Sequence, residues 1–252
     1  MEVMNNYFKP YYKYFINLLI FLIFPLFSLP LNIWMFFSNK NKLNKIFLLV
    51  LISLSFSYLG FHFVPLETDD LFRYYQMLNI FNRVSFFESF KYGYPGVQLN
   101  TIIMYFCANI LNEPRLYPFF FLFIGYLILF FIFYKLSYIY KISKYAILLI
   151  FIFIFFEMIP RYYYSGLRNH FVFIILSYIL INHFLLKKES KFNKIELIIV
   201  ILLYFVHNST ALIVGIFLLY ELIYVKIEKK IKTRRIIDIL IICSMFISSF
   251  IV

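Results

Sequence analysis

The chain has 252 residues, of which 63% are hydrophobic, 24% aromatic and only 14% charged. A soluble domain is nearer half apolar and a quarter charged, so an ordinary soluble enzyme is not expected. The net charge of +12 sits largely on lysines in short loops between apolar runs. That pattern sets membrane orientation, and nucleic acid is not an expected partner.

The first apolar run, about residues 14–37, is too long for a signal-peptide core and lacks a small-residue cleavage site. It reads as one membrane segment kinked at Pro25 and Pro30. A second span is expected at 46–64. Residues 65–94 mix acids and bases. The run at 96–112 opens with "YPG" and carries Asn100, Thr101 and Asn109, a weak spanning signal. Further spans are expected at 116–135, 144–160, 168–186 and 236–252. The run at 195–225 is too long for one span of ~20 residues and is interrupted by "HNST". Strand alternation is absent, which argues against an outer-membrane barrel. The expected fold is therefore an all-α polytopic integral membrane protein of about seven to eight membrane helices, some short, broken or dipping. No repeat or linker divides it, so residues 1–252 read as a single transmembrane domain. The ending "SMFISSFIV" lies inside an apolar run and suggests a C-terminally truncated chain.

The loops at 38–45, 134–144, 187–194 and 226–235 are basic and are expected in the cytoplasm, with 65–94 outside. These assignments agree if 96–112 is a dipping or surface-lying helix with both ends outside. Likewise 195–225 must be a two-helix excursion turning at His207. The orientation of the first segment is open, because "FKPYYKYF" before it is also basic. Asp69, Asp70, Arg161, Arg168 and His207 would then gather near the external face.

In "RYYYSGLRNHF", Arg168 opens an apolar helix just after Gly166, and Arg161 precedes it in a loop. Such an arginine can simply snorkel from a helix end. Alternatively its planar fork, beside helix N-terminal amides, suits the oxygens of a phosphate. Asp69 or Asp70 can cap a short helix. Asp70 and Tyr74 share a helical face at i, i+4, where a carboxylate beside a phenol can position a hydroxyl or take its proton. His207 is either a satisfied structural residue or, with Asn208, Ser209 and Thr210, a hydrogen-bonding group for a polar substrate. Cys107 and Cys243 lie in apolar segments without ligand partners, and no metal or cofactor motif appears.

Taken in order, "TDDLFRYY", "YPG", "SGLRNHF" and "VHNSTAL" resemble the EpsG family of bacterial membrane proteins, which are similar to Wzy-type polysaccharide polymerases. The resemblance covers about 50–225. Asp70 and Tyr74 match the family's acidic/aromatic pair, Pro95 and Gly96 its turn, Arg168 its arginine, and His207 with Ser209 its histidine motif. Tyr94 stands where the family has Glu, and Asn169 where it has Gln.

The resemblance implies a multi-pass protein of the inner (cytoplasmic) membrane that joins polyprenyl-diphosphate-linked repeat units of capsule or exopolysaccharide at the outer face. It implies catalytic roles for Arg168, Asp70 and His207. Arg161, Tyr74, Asp69 and Ser209 would bind substrate. No cofactor or metal is implied. Other polysaccharide assembly and export proteins are the implied partners besides the bilayer. Two alternatives stand beside it: a transporter or flippase of lipid-linked glycan, and a noncatalytic membrane subunit of an assembly complex.

Overall fold

A computed structural model of the chain describes residues 2–39, 41–93, 96–141, 166–182, 194–207 and 215. Among these, every regular element is helical. The expected spans at 144–160 and 236–252 lie outside the described residues, as does most of the second half of 195–225.

The first apolar run forms two helices where a single segment was expected. α1 covers Glu2–Ile23 and α2 covers Ser28–Ser38. Pro25 falls in the turn between them, where a missing backbone donor is harmless. Pro30 is the third residue of α2, so its absent N–H is one that no helical partner would have used. The two arms fold back on each other. Asn17 of α1 donates to Asn32 of α2, and the Asn39 side chain donates to the Tyr14 hydroxyl, so pairs widen in sequence away from the turn. Asn32 donates in turn to Ser28 Oγ at 3.1 Å. The Pro25 carbonyl at the tip accepts from Ser28 at 2.7 Å and from Ser55 at 2.9 Å. Most buried polar atoms along the hairpin are thus joined into a ladder, as a low-dielectric setting favours, while Asn17 Oδ1 has no partner among the described residues.

At ~1.5 Å per residue, neither the 11 residues of α2 nor the apolar stretch Tyr12–Ile23 of α1 reaches across a ~30 Å hydrocarbon core. The hairpin nonetheless exposes Phe15, Leu22, Phe24, Phe27 and Trp34. An apolar surface of that extent is one that lipid or a partner must cover.

α3 (Lys42–His62) and α7 (Leu116–Ile139) are long and apolar enough to cross a membrane. Only 50% and 44% of their apolar windows are covered by the rest of the protein. The core helix of a soluble protein would be covered much more fully. α3 and α7 pack antiparallel through Phe56 on Tyr126 (4.6 Å between ring centroids) and Phe61 on Phe119 (6.3 Å). At the Lys42 end, Phe36 of α2 meets Tyr134 of α7, with the Lys45 ammonium 5.4 Å above Phe36.

Because α3 ends where α7 begins, everything between them starts and finishes at one end of the bundle. This layer comprises α4 (Asp70–Phe81), α5 (Phe86–Tyr92), α6 (Gln98–Tyr105) and a π-helical turn, Phe106–Ile110. α6 with its π turn is too short to cross, in keeping with a dipping element at 96–112. The turn into α6 uses Gly96 at φ 81°, a left-handed conformation that costs other residues about 1–2 kcal/mol. Just before it, Gly93 packs so closely on Thr101 that a Cβ there would collide with the threonine side chain.

α8 (Leu167–Leu180) runs parallel to α7. Phe171 meets Phe121 at 4.8 Å, Tyr178 meets Phe131 at 6.3 Å, and Asn182 accepts from Lys135 at 3.3 Å. α9 (Lys194–Tyr204) starts at the opposite end from the α4–α6 layer, where Asn182 donates to the buried Glu196 at 3.4 Å. It therefore climbs back toward the amino-terminal end of α8.

Candidate functional site at the amino-terminal end of α8

Gly166, with φ −116°, leads into α8, and Arg168 is the helix's second residue. The first backbone N–H groups of a helix have no partner in its own ladder and favour anions. Into this end the fold brings side chains from four other elements. The Arg168 guanidinium carbon stands 4.8 Å from the ring centroid of Tyr74 on α4. Tyr74 meets the ring of Tyr117 on α7 edge to face at 5.6 Å. The Tyr117 hydroxyl donates to Asn100 Oδ1 on α6 at 2.7 Å, and Asn100 Nδ2 donates to Met104 Sδ at 3.3 Å. Tyr74, Tyr117 and Asn100 are each at most 2% exposed, so the cation rests on a platform that water does not penetrate. A cation over an aromatic face gains most when desolvated, on the order of 2 kcal/mol.

The fifth contribution is His207, in the turn that follows α9. It lies within electrostatic reach of the Arg168 guanidinium, and an imidazole in its neutral form can both accept and donate a hydrogen bond. A fixed cation within electrostatic reach of an imidazole suits an anionic ligand beside a hydroxyl. It is also suited to stabilising negative charge that develops on a leaving group.

Arg168, Tyr74 and His207, singled out in the sequence, are thus brought together. The aspartates take other positions. Asp69 is buried at the mouth of α4, where its carboxylate accepts from the Leu66 amide at 2.8 Å and its own amide donates to the Leu66 carbonyl at 2.9 Å. It closes the turn into α4. Asp70, expected on the helical face of Tyr74, faces Arg73 one turn on, at 3.6 Å. The reason is rotational: α4 buries Leu71, Tyr74 and Leu78 as one stripe, which leaves Asp70 half-exposed at its edge. Arg161, Ser209, Tyr94 and Pro95 lie outside the described residues.

Two members of the platform, Asn100 and Tyr117, were not read as site residues. Asn100 was visible as a polar residue in an apolar run, but Tyr117 is one tyrosine among 23. Family models, characterised proteins and solved structures were compared with the chain, and none matches it.

Proposed function

We propose that the chain is a multi-pass protein of a bacterial cytoplasmic membrane that polymerises polyprenyl-diphosphate-linked glycan repeat units at the outer face, as its resemblance to the EpsG family implies. The observation that carries this reading is the platform under Arg168: an aromatic-backed guanidinium at a helix amino terminus, with the His207 imidazole in electrostatic reach. Two further features support it. The platform lies at the end of the bundle opposite the lysine-rich ends of α3 and α7. Arg168, Tyr74 and His207 also come from the motifs that carry the resemblance.

In this reading the anomeric carbon of one lipid-linked chain is attacked by a hydroxyl of a second repeat unit, and polyprenyl diphosphate leaves. Arg168 and the first amides of α8 take up charge developing on the diphosphate. His207 orients the acceptor hydroxyl through a hydrogen bond. Asp70, paired with Arg73 near the platform's edge, is a candidate to accept the proton.

The test is the glycan length profile of cells carrying Arg168→Lys or Arg168→Ala at matched protein level. Lysine keeps the charge but loses the fork. Losing one preorganised charge-stabilising donor costs on the order of 10²–10³ in rate. Long chains should vanish in both variants while lipid-linked single repeats accumulate outside the cell. Single repeats stranded inside would instead favour a flippase. Normal chain lengths in both variants would overturn the role of Arg168.

A further inference from the structure

Successive residues of α4 point about 100° apart, since a helix turns every 3.6 residues. Tyr74 enters the Arg168 platform, and Tyr75 turns away from it into a cleft of about 440 Å³ between α4, the end of α3 and the start of α7. The cleft is walled by Phe61, Phe72, Tyr75, Gln76, Asn79 and Arg115, among others. Its volume falls within the range of small-ligand sites.

Three observations define its chemistry. First, the Tyr75 hydroxyl is buried and meets no hydrogen-bond partner among the described residues. A buried polar atom left in that state asks for water or a ligand to complete it. Second, the Arg115 guanidinium is already matched. It donates to Glu113 through two parallel bonds, at 2.8 and 2.9 Å, and lies 4.6 Å from the Phe61 ring centroid. Its charge is balanced locally, so the cleft has no net pull on an anion. Third, Gln76 and Asn79 are exposed one turn apart on α4 and add neutral amides beside the apolar wall. Aromatic surface fringed by neutral donors and acceptors matches a ring with apolar faces and a hydroxylated edge.

We propose that this cleft binds a neutral sugar ring, on the opposite side of α4 from Arg168 and at the same end of the bundle. Its use as a subsite for the acceptor glycan rests on the polymerase reading; the binding of sugar does not.

The experiment uses the full chain in neutral phosphatidylcholine nanodiscs. Saturation-transfer NMR is recorded with maltotriose, cellotriose and chitotriose, with trigalacturonate as the anionic counterpart. At least one neutral trisaccharide should bind saturably and better than trigalacturonate. Tyr75→Phe should weaken it about 3- to 10-fold, the loss of one hydrogen bond. Gln76→Ala with Asn79→Ala should abolish it, and Arg168→Ala should leave it intact. Tyr75→Phe should also unfold at the wild-type midpoint or above it, because its hydroxyl has no protein partner to lose. Binding by none of the three neutral sugars, preference for trigalacturonate, or unchanged affinity in Tyr75→Phe would each overturn the proposal. Sugar binding that persists while Arg168 variants make normal chains would overturn the role of Arg168, the observation that carries the polymerase reading, and leave the cleft standing. Loss of long chains in Arg168 variants without sugar binding would do the reverse.

Discussion

Tyr117→Phe removes one oxygen from the support under Arg168 and little else. Phenylalanine keeps the ring, and with it the contacts to Tyr74 at 5.6 Å and Phe121 at 5.0 Å. What disappears is the 2.7 Å bond to Asn100, leaving a fully buried amide oxygen without its donor. An orphaned buried acceptor costs about 1–3 kcal/mol. Side-chain hydrogen bonds between membrane helices average only about 0.6 and reach about 1.7 kcal/mol. The burial of both partners favours the upper part of that overlap, so the expected loss is about 1–2 kcal/mol. Denaturant unfolding in detergent micelles reads it as a lowered midpoint at unchanged slope. The cycle with Asn100→Ala isolates the pair. If the bond is the whole effect, the double variant is no less stable than Asn100→Ala alone, and the coupling is about 1 kcal/mol. If the chain polymerises glycan as proposed, chains should shorten in Tyr117→Phe, because the ring that backs Tyr74 is no longer pinned. A Tyr117→Phe chain as stable as wild type, or strictly additive losses in the cycle, would refute this account of the platform.

Two further outcomes follow from other parts of the fold. If α1 and α2 form a hairpin with both ends on one side, single cysteines at Asn5→Cys and Asn41→Cys, in a chain without Cys107 and Cys243, should label from the same side of intact cells; labelling from opposite sides would restore a single crossing segment. At α5, the Glu88 carboxylate accepts from the Ser85 amide at 3.0 Å and from its hydroxyl at 2.9 Å, and these bonds hold it below the usual carboxylate range. A lowered folded-state value gives stabilisation that is complete above the unfolded value and is lost as pH falls through the folded one. Hydrogen exchange of residues 86–89, corrected for intrinsic rates, should therefore quicken on acidification below about pH 4.5 in wild type, and stay flat in Glu88→Gln.

Much of the helical layout was legible because apolar run length and basic loops are one-dimensional signals. The long runs at 46–64 and 116–135 became α3 and α7 nearly as read. The brevity of α6 is signalled by the conflict of loop charges that a crossing at 96–112 would create. The first run misled because its length alone suggests a crossing. Pro25 interrupts it, yet proline by itself does not say whether a helix bends or reverses. The reversal is decided by Asn17, Ser28 and Asn32, which are fully buried and bond mainly to one another and to the tip. In hindsight, three polar residues in an otherwise apolar stretch carried that information, since each would be expensive against lipid unless it faced another.

The site shows the same division between what a sequence states and what only packing decides. Arg168 and His207 announced themselves as ionisable groups in apolar surroundings, and parallel α7–α8 packing explains why they meet. A helix parallel to α7 must start at the end where α7 starts, so Arg168 is delivered to the level of Tyr117. The antiparallel return of α9 then brings His207 up to the same level. The position of Asp70 is set by a different factor. Helical periodicity placed it on the face of Tyr74, but that face is a stripe with an edge, and a carboxylate is cheapest at the edge, beside Arg73 and water. A charged residue in a polar segment therefore says less about its destination than one in an apolar segment, because the polar segment offers it more places to go. On that reasoning Tyr75 carries more information in α4: a buried hydroxyl with no partner among the described residues has been placed where it costs stability, and the cleft it lines gives a reason for the cost.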